Sequence, residues 1–380
     1  MTILRTNTIA GIGSDGAGTV LGGSFSFTSQ NYVILPKGTT DNRVGLGSTP
    51  GALRYNTDSN KVELYDGSQW TEVQASIPLT GGPRGLIFAG YAQPATPAVN
   101  IIDYITISTT GNAVDFGDVL QATLRSNTAL GSSTRGVCAG GGGPSANVNV
   151  IQYVTISSTG NAIDFGDLSA VSTGTCSFSN STRGVFNLGL NPPSTWLNTL
   201  EFITIASTGN SIDFGDTTQA REQVAQGSCA SSTRGLLIGG YNNGTAYNII
   251  DYVTTMSTGN AVDFGDLTGV RRLLGAASNS VRCVVAGGYA GSPASASNII
   301  EYVTISTLGN SIDFGDRTFA STENCGLSSP TRGVFCGSST PISNVLDYVS
   351  IMNLGNAMDF GDLTQARGDS GACSNAHGGL

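Results

Sequence analysis

One string dominates this chain. Gly-Asn-(Ala/Ser)-(Val/Ile/Met)-Asp-Phe-Gly-Asp occurs six times, starting at Gly111, Gly160, Gly209, Gly259, Gly309 and Gly355, in steps of 49, 49, 50, 50 and 46 residues. A fixed period of this length marks a repeat architecture, in which one copy cannot bury its own apolar faces and must stack on its neighbours. Two further elements run in phase. A (Ser/Pro)-Thr-Arg-Gly string carries Arg135, Arg183, Arg234 and Arg332, with variants at Arg84 (Pro-Arg-Gly) and Arg282 (Val-Arg-Cys). An acid or Gln followed by an aromatic precedes each Gly-Asn: Asp103-Tyr104, Gln152-Tyr153, Glu201-Phe202, Asp251-Tyr252, Glu301-Tyr302 and Asp347-Tyr348.

Each period divides into four short strands. In one copy these are Glu222 to Ala230, Arg234 to Tyr241, Asn248 to Met256 and Ala261 to Leu267. The Gly-Asn of the last turn suits a tight hairpin, because Gly accepts φ > 0 without steric cost. Four antiparallel strands per period is the blade unit of a propeller. Runs such as Asn298 to Ser306 are apolar on both faces, as expected of a sheet covered on both sides. The first period opens on its second strand at Arg84, and a surplus first-type strand, Gly368 to Asn375, follows the last period. Pairing these two would complete one sheet from both ends of the repeat region and remove its exposed edges. The expected fold is all-β: a six-bladed β-propeller over residues 81–380, closed by the C-terminal strand and preceded by a small N-terminal β domain over 1–80.

Composition narrows the function. Charged residues make up 11% of the 380 residues, the net charge is −9, and Lys occurs only at positions 37 and 61. Nucleic-acid binding needs grouped cations to displace counterions, so none is expected. No apolar run approaches a bilayer span, and the Met1-Thr2-Ile3-Leu4-Arg5 start lacks the apolar stretch of a signal peptide, which predicts folding in a cytoplasm. The seven Cys show no close-paired spacing and read as buried thiols rather than a disulfide or zinc set.

The Gly239-Gly240, Tyr252, Phe264 and Arg271 series, repeated as Gly287-Gly288, Tyr302 and Phe314, resembles the kelch-type propeller repeat. It departs from that pattern at Leu188-Gly189 and Gly337-Ser338, and in carrying Phe where Trp is usual. The stretch from Leu35 to Val73, with Gly51 to Thr57, an Asp58-Ser59-Asn60 turn, Lys61 to Asp66 and Gln69-Trp70, is similar to short β modules of phage tail-fibre and other virion proteins. Read from the residues alone it is a hairpin, with Leu53/Tyr55 and Val62/Leu64 as period-2 faces. Arg5 to Gly11 resembles the start of marine phage structural proteins. These resemblances imply a virion protein, a tail fibre or fibre-like appendage assembled in the host cytoplasm. Residues 1–80 would attach it to other virion proteins, and a homo-oligomer, by analogy a trimer, is implied. A capsid or tail decoration without a host ligand is the alternative.

No enzyme is expected, and no cofactor or metal. Asp-Phe-Gly also occurs in kinases, but six copies without a phosphate-cradling loop and its Lys do not make that site. The Asp-x-x-Asp pairs lack the dense oxygen spacing of a calcium loop, and one Asp of each is expected to cap a turn or meet a repeat Arg. His377, the one His, has no triad partners in the sequence. Gly140 to Gly143 lacks the Lys-Ser/Thr of a phosphate loop. A hydrolase would need off-pattern acids; Glu222 and Glu323 are off-pattern, without evident partners. What varies between copies is the connection between second and third strands. Tyr91, Trp196, Tyr241, Asn242, Tyr247 and Tyr289 lie in or beside these loops, which antiparallel sheets would place on one face. Aromatics and Asn there suit a glycan or protein surface of the host or of a neighbouring virion protein.

Overall fold

The computed structural model describes residues 35–43, 50–59, 61–73, 82–92, 99–121, 127–142, 147–227, 229–291 and 295–380. Parts of three variable loops, 93–98, 143–146 and 292–294, lie outside them. The protein is all-β; one 3-10 turn, Thr40–Arg43, is the sole helical element among the described residues. The chain divides into two compact units, Met1–Ile77 and Pro78–Leu380.

In the first unit, Leu53–Asn56 and Lys61–Tyr65 form the expected hairpin, with Leu53 opposite Leu64 and Tyr55 opposite Val62. Trp70–Glu72 extends it on one side and Lys37–Gly38 pairs in parallel on the other. Glu63, buried at the centre, takes the guanidinium of Arg43 and the Asn56 amide at 2.8 Å.

The second unit consists of six antiparallel sheets, one per repeat. Sheet 1 orders Gly371–Ser374, Arg84–Gly90, Val99–Thr106 and Val114–Asp118. Its inner strand is the surplus C-terminal segment: Gly371 to Ser374 pair with Phe88 to Gly85. Sheet 2 has Thr128–Gly131, Arg135–Ala139, Val150–Thr155 and Ile163–Asp167. Sheet 3 has Cys176–Ser179, Arg183–Asn187, Thr199–Thr204 and Ile212–Asp216. Sheet 4 has Arg234–Ile238, Ile249–Thr254 and Val262–Asp266. Sheet 5 has Gly275–Ser278, Arg282–Ala286, Ser295–Thr304 and Ile312–Ser321. Sheet 6 has Cys325–Ser328, Arg332–Ser339, Ile342–Ser350 and Met358–Asp362.

The expected first strand of sheet 4, Glu222 to Ala230, is not a continuous strand. Its described residues meet Arg234–Ile238 through single bonds such as Ala225 N–H to Ile238 O (3.0 Å) and Leu236 N–H to Cys229 O (2.9 Å). Between these, Gln226 turns away to sheets 5 and 6: it takes Leu274 O at 2.7 Å, and its own carbonyl accepts from Ala276 and Gly326. A backbone amide satisfied by neighbouring sheets gains nothing further from its own ladder.

The apolar core lies between the sheets. Six buried clusters each draw on two consecutive sheets, the sixth joining Ile87, Ile105 and Ile107 of sheet 1 to Leu327, Val334 and Phe360 of sheet 6. The repeat's Phe side chains are buried in these clusters, and each stacks edge-on against the aromatic of its own third strand, as in Tyr104–Phe116 at 6.0 Å and Tyr348–Phe360 at 5.9 Å. Burying one such ring stabilises by roughly 1.5–3 kcal/mol.

Hydrogen bonds join consecutive sheets at three levels, and at each level the bonded set includes sheet 6 to sheet 1. Outermost, the Gly-Asn of one repeat caps the Asp-Phe-Gly-Asp of the previous one. Gly160 N–H donates to Phe116 O (2.8 Å), Asp118 N–H to Asn161 Oδ1 (3.0 Å), and from the last copy to the first Gly111 N–H donates to Phe360 O (2.7 Å). The two halves of the motif therefore act in different copies. Gly361 (φ +147°) shows the consequence: a Cβ there would stand 2.4 Å from Gly111 O. These hairpins also cover the outer strand's free edge.

At the second level, the Thr-Arg-Gly arginines lie over their own third-strand aromatic and donate to the next sheet: Arg84 to Ile156 O (2.8 Å), Arg135 to Ile205 O (2.8 Å), and so on to Arg332 with Ile107 O (3.1 Å). These arginines do not meet the motif aspartates, one of the two roles expected of those acids. A guanidinium over an aromatic face is attracted by the ring quadrupole, and its N–H groups satisfy carbonyls at the strand end. Innermost, serine hydroxyls reach the preceding sheet: Ser179 to Gly131 O, Ser278 to Ala230 O, Ser328 to Ser278 O and Ser374 to Ser328 O, at 2.5–3.0 Å.

The cysteine expectation is also corrected. Cys229 and Cys283 form a disulfide, with Cα atoms 5.5 Å apart. The residue one before the inner serine position points at the Arg-Gly glycine of the next sheet: a Cβ on Gly85 would meet Leu327, one on Gly184 Leu130, and one on Gly235 Phe178. Cys283 replaces that glycine in one copy, and Cys229 is the residue facing it. The other five Cys are buried, and burial pushes the thiols of Cys138, Cys176 and Cys373 up, away from the reactive thiolate.

Candidate functional site

The connections between second and third strands that are described include two short ribbons, Leu190–Asn191 with Thr195–Trp196 and Tyr241–Asn242 with Thr245–Ala246. On sheet 5, Tyr289–Ala290 pairs with Arg271–Arg272 and with Ser295–Ala296. The strands leading into these ribbons are locked by a second set of arginines. Arg221, Arg271, Arg317 and Arg367 are buried against Asp251, Glu301, Asp347 and Asp103 at 2.6–3.0 Å. Arg271 is thus a structural residue. Its neighbour Arg272 faces the loops.

Arg272 stands between two of the expected residues, with its guanidinium carbon 4.1 Å from the Tyr241 ring centre and 5.4 Å from that of Tyr289. It also donates to Gln223 Oε1 at 3.2 Å. Trp196 Nε1–H donates to Glu222 Oε1 at 3.4 Å. Burial raises the Glu222 carboxyl above its ordinary value, against the Trp196 hydrogen bond and the Arg272 charge, which pull it down. Sheets 3, 4 and 5 so contribute Trp196, Glu222, Tyr241, Arg272 and Tyr289 to one neighbourhood of aromatic faces around a cation and a carboxylate.

The remaining expected residues are placed differently. Asn242 donates its amide to Ala220 O at 2.7 Å. Tyr247 holds the ribbon through its backbone, donating to Gly240 O and accepting from Arg271 N–H. Tyr91 belongs to sheet 1, where its backbone exchanges two bonds with Gly368. All six expected residues are half-buried. Sequence reasoning missed Arg272 and undervalued Glu222. The signals were present: Arg271-Arg272 is an arginine doublet where Arg221 and Arg367 stand singly in two other copies, and Glu222 is off-pattern. The Trp196 partner of Glu222 lies in the preceding repeat and was not readable.

At the inner ends of these strands, Gln223, Leu273, Glu323 and Asp369 all have φ of 55–58° and are linked in series, each N–H donating to the carbonyl of the residue before it in that order; Gln223 N–H donates to Gly174 O. The acid Glu323 thus sits in a structural series. No group of three or more metal-ligating side chains occurs among the described residues. No protein-family model matches the chain, and no curated protein matches it.

Proposed function

We propose that residues 78–380 form a six-bladed, kelch-like β-propeller acting as a non-enzymatic recognition scaffold. The reading of six blades is supported by the pairing of Gly371–Ser374 with Arg84–Gly90 and by the three levels of inter-sheet bonds that run from sheet 6 to sheet 1. The recognition reading is carried by one observation, Arg272 flanked by Tyr241 and Tyr289 beside the Trp196–Glu222 pair. Aromatic faces with a planar cation and a carboxylate suit the apolar face and hydroxyls of a sugar, or a protein surface. With the resemblance of residues 35–73 to virion modules, the chain reads as a virion structural protein, a tail fibre or fibre-like appendage. Its N-terminal unit would attach to the particle, and its propeller would present a face to the host or to a neighbouring virion protein.

A decoration or adaptor role without host ligand is the second reading. It is favoured by Asn242 and Trp196 already having internal partners. A glycan array and host-cell retention assay with the full chain and with Trp196→Ala and Tyr241→Ala variants separates the two. Retention lost in the variants supports recognition, and no retention by the parent chain on any host surface supports decoration. Immuno-electron microscopy of particles tests the virion assignment itself.

A further inference from the structure

The hairpins joining third and fourth strands expose one aliphatic residue in every sheet: Val114, Ile163, Ile212, Val262, Ile312 and Met358. Sheets 5 and 6 depart from the other four. Where the aligned residues are Thr110, Thr159, Thr208 and Thr258, they carry Leu308 and Leu354. Where four other copies have Thr134, Thr182, Thr233 and Thr331, sheet 5 has Val281, and Met352 stands where three copies have Ser108, Ser157 and Ser306, sheet 3 has Ala206 and sheet 4 has the exposed Met256. Val281, Leu308, Ile312, Met352, Leu354 and Met358 are 44–59% exposed.

Hydrogen bonds from the Arg282 guanidinium and from the backbone place these six on neighbouring hairpins. Arg282, next to Val281, donates to Ile351 O and Met352 O at 3.3 and 3.0 Å. Gly355 N–H, next to Leu354, donates to Phe314 O at 2.9 Å, and Ala357 N–H to Asp316 O at 2.8 Å, which seats the sheet 6 hairpin on the strand that carries Ile312. A groove of about 180 Å³ on sheet 5 is lined by Tyr302, Thr304, Leu308, Asn310 and Ile312 among others; the equivalent hairpins of sheets 1, 3 and 4 form grooves of about 180–220 Å³, and in sheet 5 Leu308 replaces their threonine. Exposed apolar surface enriched on two neighbouring sheets is a mark of an interaction site.

The charges choose the occupant. Asp313 and Asp359 are exposed and Asp316 and Asp362 half-exposed along the same strands. Against them stand Arg282 and Arg332, both half-buried and bonded to carbonyls with their guanidinium groups over Tyr302 and Tyr348. A second copy docked face to face would set these aspartates against their own counterparts, and an anionic lipid surface or nucleic acid would meet the same repulsion. We propose that Val281, Leu308, Ile312, Met352, Leu354 and Met358 form a docking surface for a protein segment that alternates aliphatic and basic side chains.

The test replaces the patch with what the other sheets carry. A Val281→Thr/Leu308→Thr/Met352→Ser/Leu354→Thr chain is compared with the parent by titrating a labelled Lys-Leu-Lys-Val-Lys-Leu-Lys peptide, with Glu-Leu-Glu-Val-Glu-Leu-Glu and Lys-Ser-Lys-Ser-Lys-Ser-Lys as controls. The parent should bind the first peptide in a salt-sensitive way and at least tenfold more tightly than either control, and the quadruple variant should lose at least tenfold. A second variant, Thr134→Val/Thr159→Leu/Ala206→Met/Thr208→Leu, builds the same surface on sheets 2 and 3 and should raise the stoichiometry from one peptide to two. Equal binding by parent and quadruple variant, or a stoichiometry unchanged in the second variant, would overturn the proposal. So would a parent that sediments as a dimer and a quadruple variant that sediments as a monomer, which would make the occupant a second copy.

Discussion

The junction between sheets 3 and 4 and the junction between sheets 2 and 3 are built from aligned residues and held by different chemistry. In the first, Arg221, five residues past the Asp216 that ends its motif, lies fully buried against Asp251 at 2.9 Å and also donates to Gly239 O at 2.9 Å. In the second, the aligned position is Ser172, and the aligned acid, Glu201, is buried without an arginine among the described residues. Glu201 instead accepts from the Ser169 N–H, the Ser169 hydroxyl and the Ser211 hydroxyl. Several neutral donors can hold a buried carboxylate in place of one cation. At these two junctions the repeat keeps the position of the buried acid while its partners change.

The largest effect should come from removing the cation where there is one. Arg221→Met leaves Asp251 buried with only the Thr218 N–H and hydroxyl as polar partners. It should cost about 3–5 kcal/mol, the usual penalty for orphaning a buried charge. Denaturant unfolding measures it, and a loss under about 1 kcal/mol would mean that the two junctions do not differ electrostatically. The junction between sheets 4 and 5 adds a covalent contrast. Cys229→Ala/Cys283→Gly restores the glycine of the other copies and opens a crosslink spanning 54 residues. A loop of that size corresponds to about 4 kcal/mol in the chain-entropy account, and measured losses of about 2–4 are usual. The parent chain under reducing conditions should fall to the same midpoint; no change on reduction would remove the crosslink from the account.

These differences also mark how far the sequence could be read. The six-copy motif and its phase reached the strand order, including the pairing of Gly371–Ser374 with Arg84–Gly90, because period and end register are local facts of the string. The recurring Tyr and Phe positions were legible for the same reason. Partners were not. Arg84 finds Ile156 in the next repeat, and Cys229 finds Cys283 through a glycine missing from one copy; such pairs are set by packing between copies that the string does not align. The broken inner segment at Gln226 was missed because its bonds go to sheets 5 and 6, against the local pattern. At the loop face, the aromatics were visible as types, while Arg272 gains its meaning only from Tyr241 and Tyr289 standing on either side.

The arginine-free junction has a compensating contact, and pH can expose it. His377 donates from Nε2 to Gly131 O of sheet 2 at 2.9 Å and lies 3.3 Å from Ser179 Oγ of sheet 3, while its Nδ1 accepts from Gly379 N–H at 3.1 Å. Both ring nitrogens are therefore used by the neutral form, and a proton on Nδ1 would oppose an N–H. Burial lowers the imidazole from 6.5 to about 4, partly countered by the Gly131 carbonyl. The unfolded chain then takes up a proton before the folded chain does. Stability from this group is whole above about pH 6.5, declines as pH falls toward about 4, and levels off below, for a total of about 3 kcal/mol. The difference in unfolding free energy between the parent and His377→Asn, followed from pH 7 to 4, isolates it from the carboxylates. A constant difference across that range would show that His377 does not titrate between the two states.

The smallest effect is expected at Glu201, and it is the sharpest test of the comparison. Glu201→Gln keeps one oxygen acceptor and the shape of the side chain, while its new N–H₂ faces hydroxyls that can rotate to accept. If neutral donors hold this junction by hydrogen bonding, removing the charge should cost only about 1 kcal/mol, the scale of one exchanged hydrogen bond. The matching change on the other side, Asp251→Asn, strips Arg221 of its counter-charge and should cost several times more, about 3 kcal/mol or above. Equal losses at the two positions would mean that Glu201 acts through its charge as Asp251 does, with a cation outside the described residues completing the pair, and the contrast between the two junctions would fall.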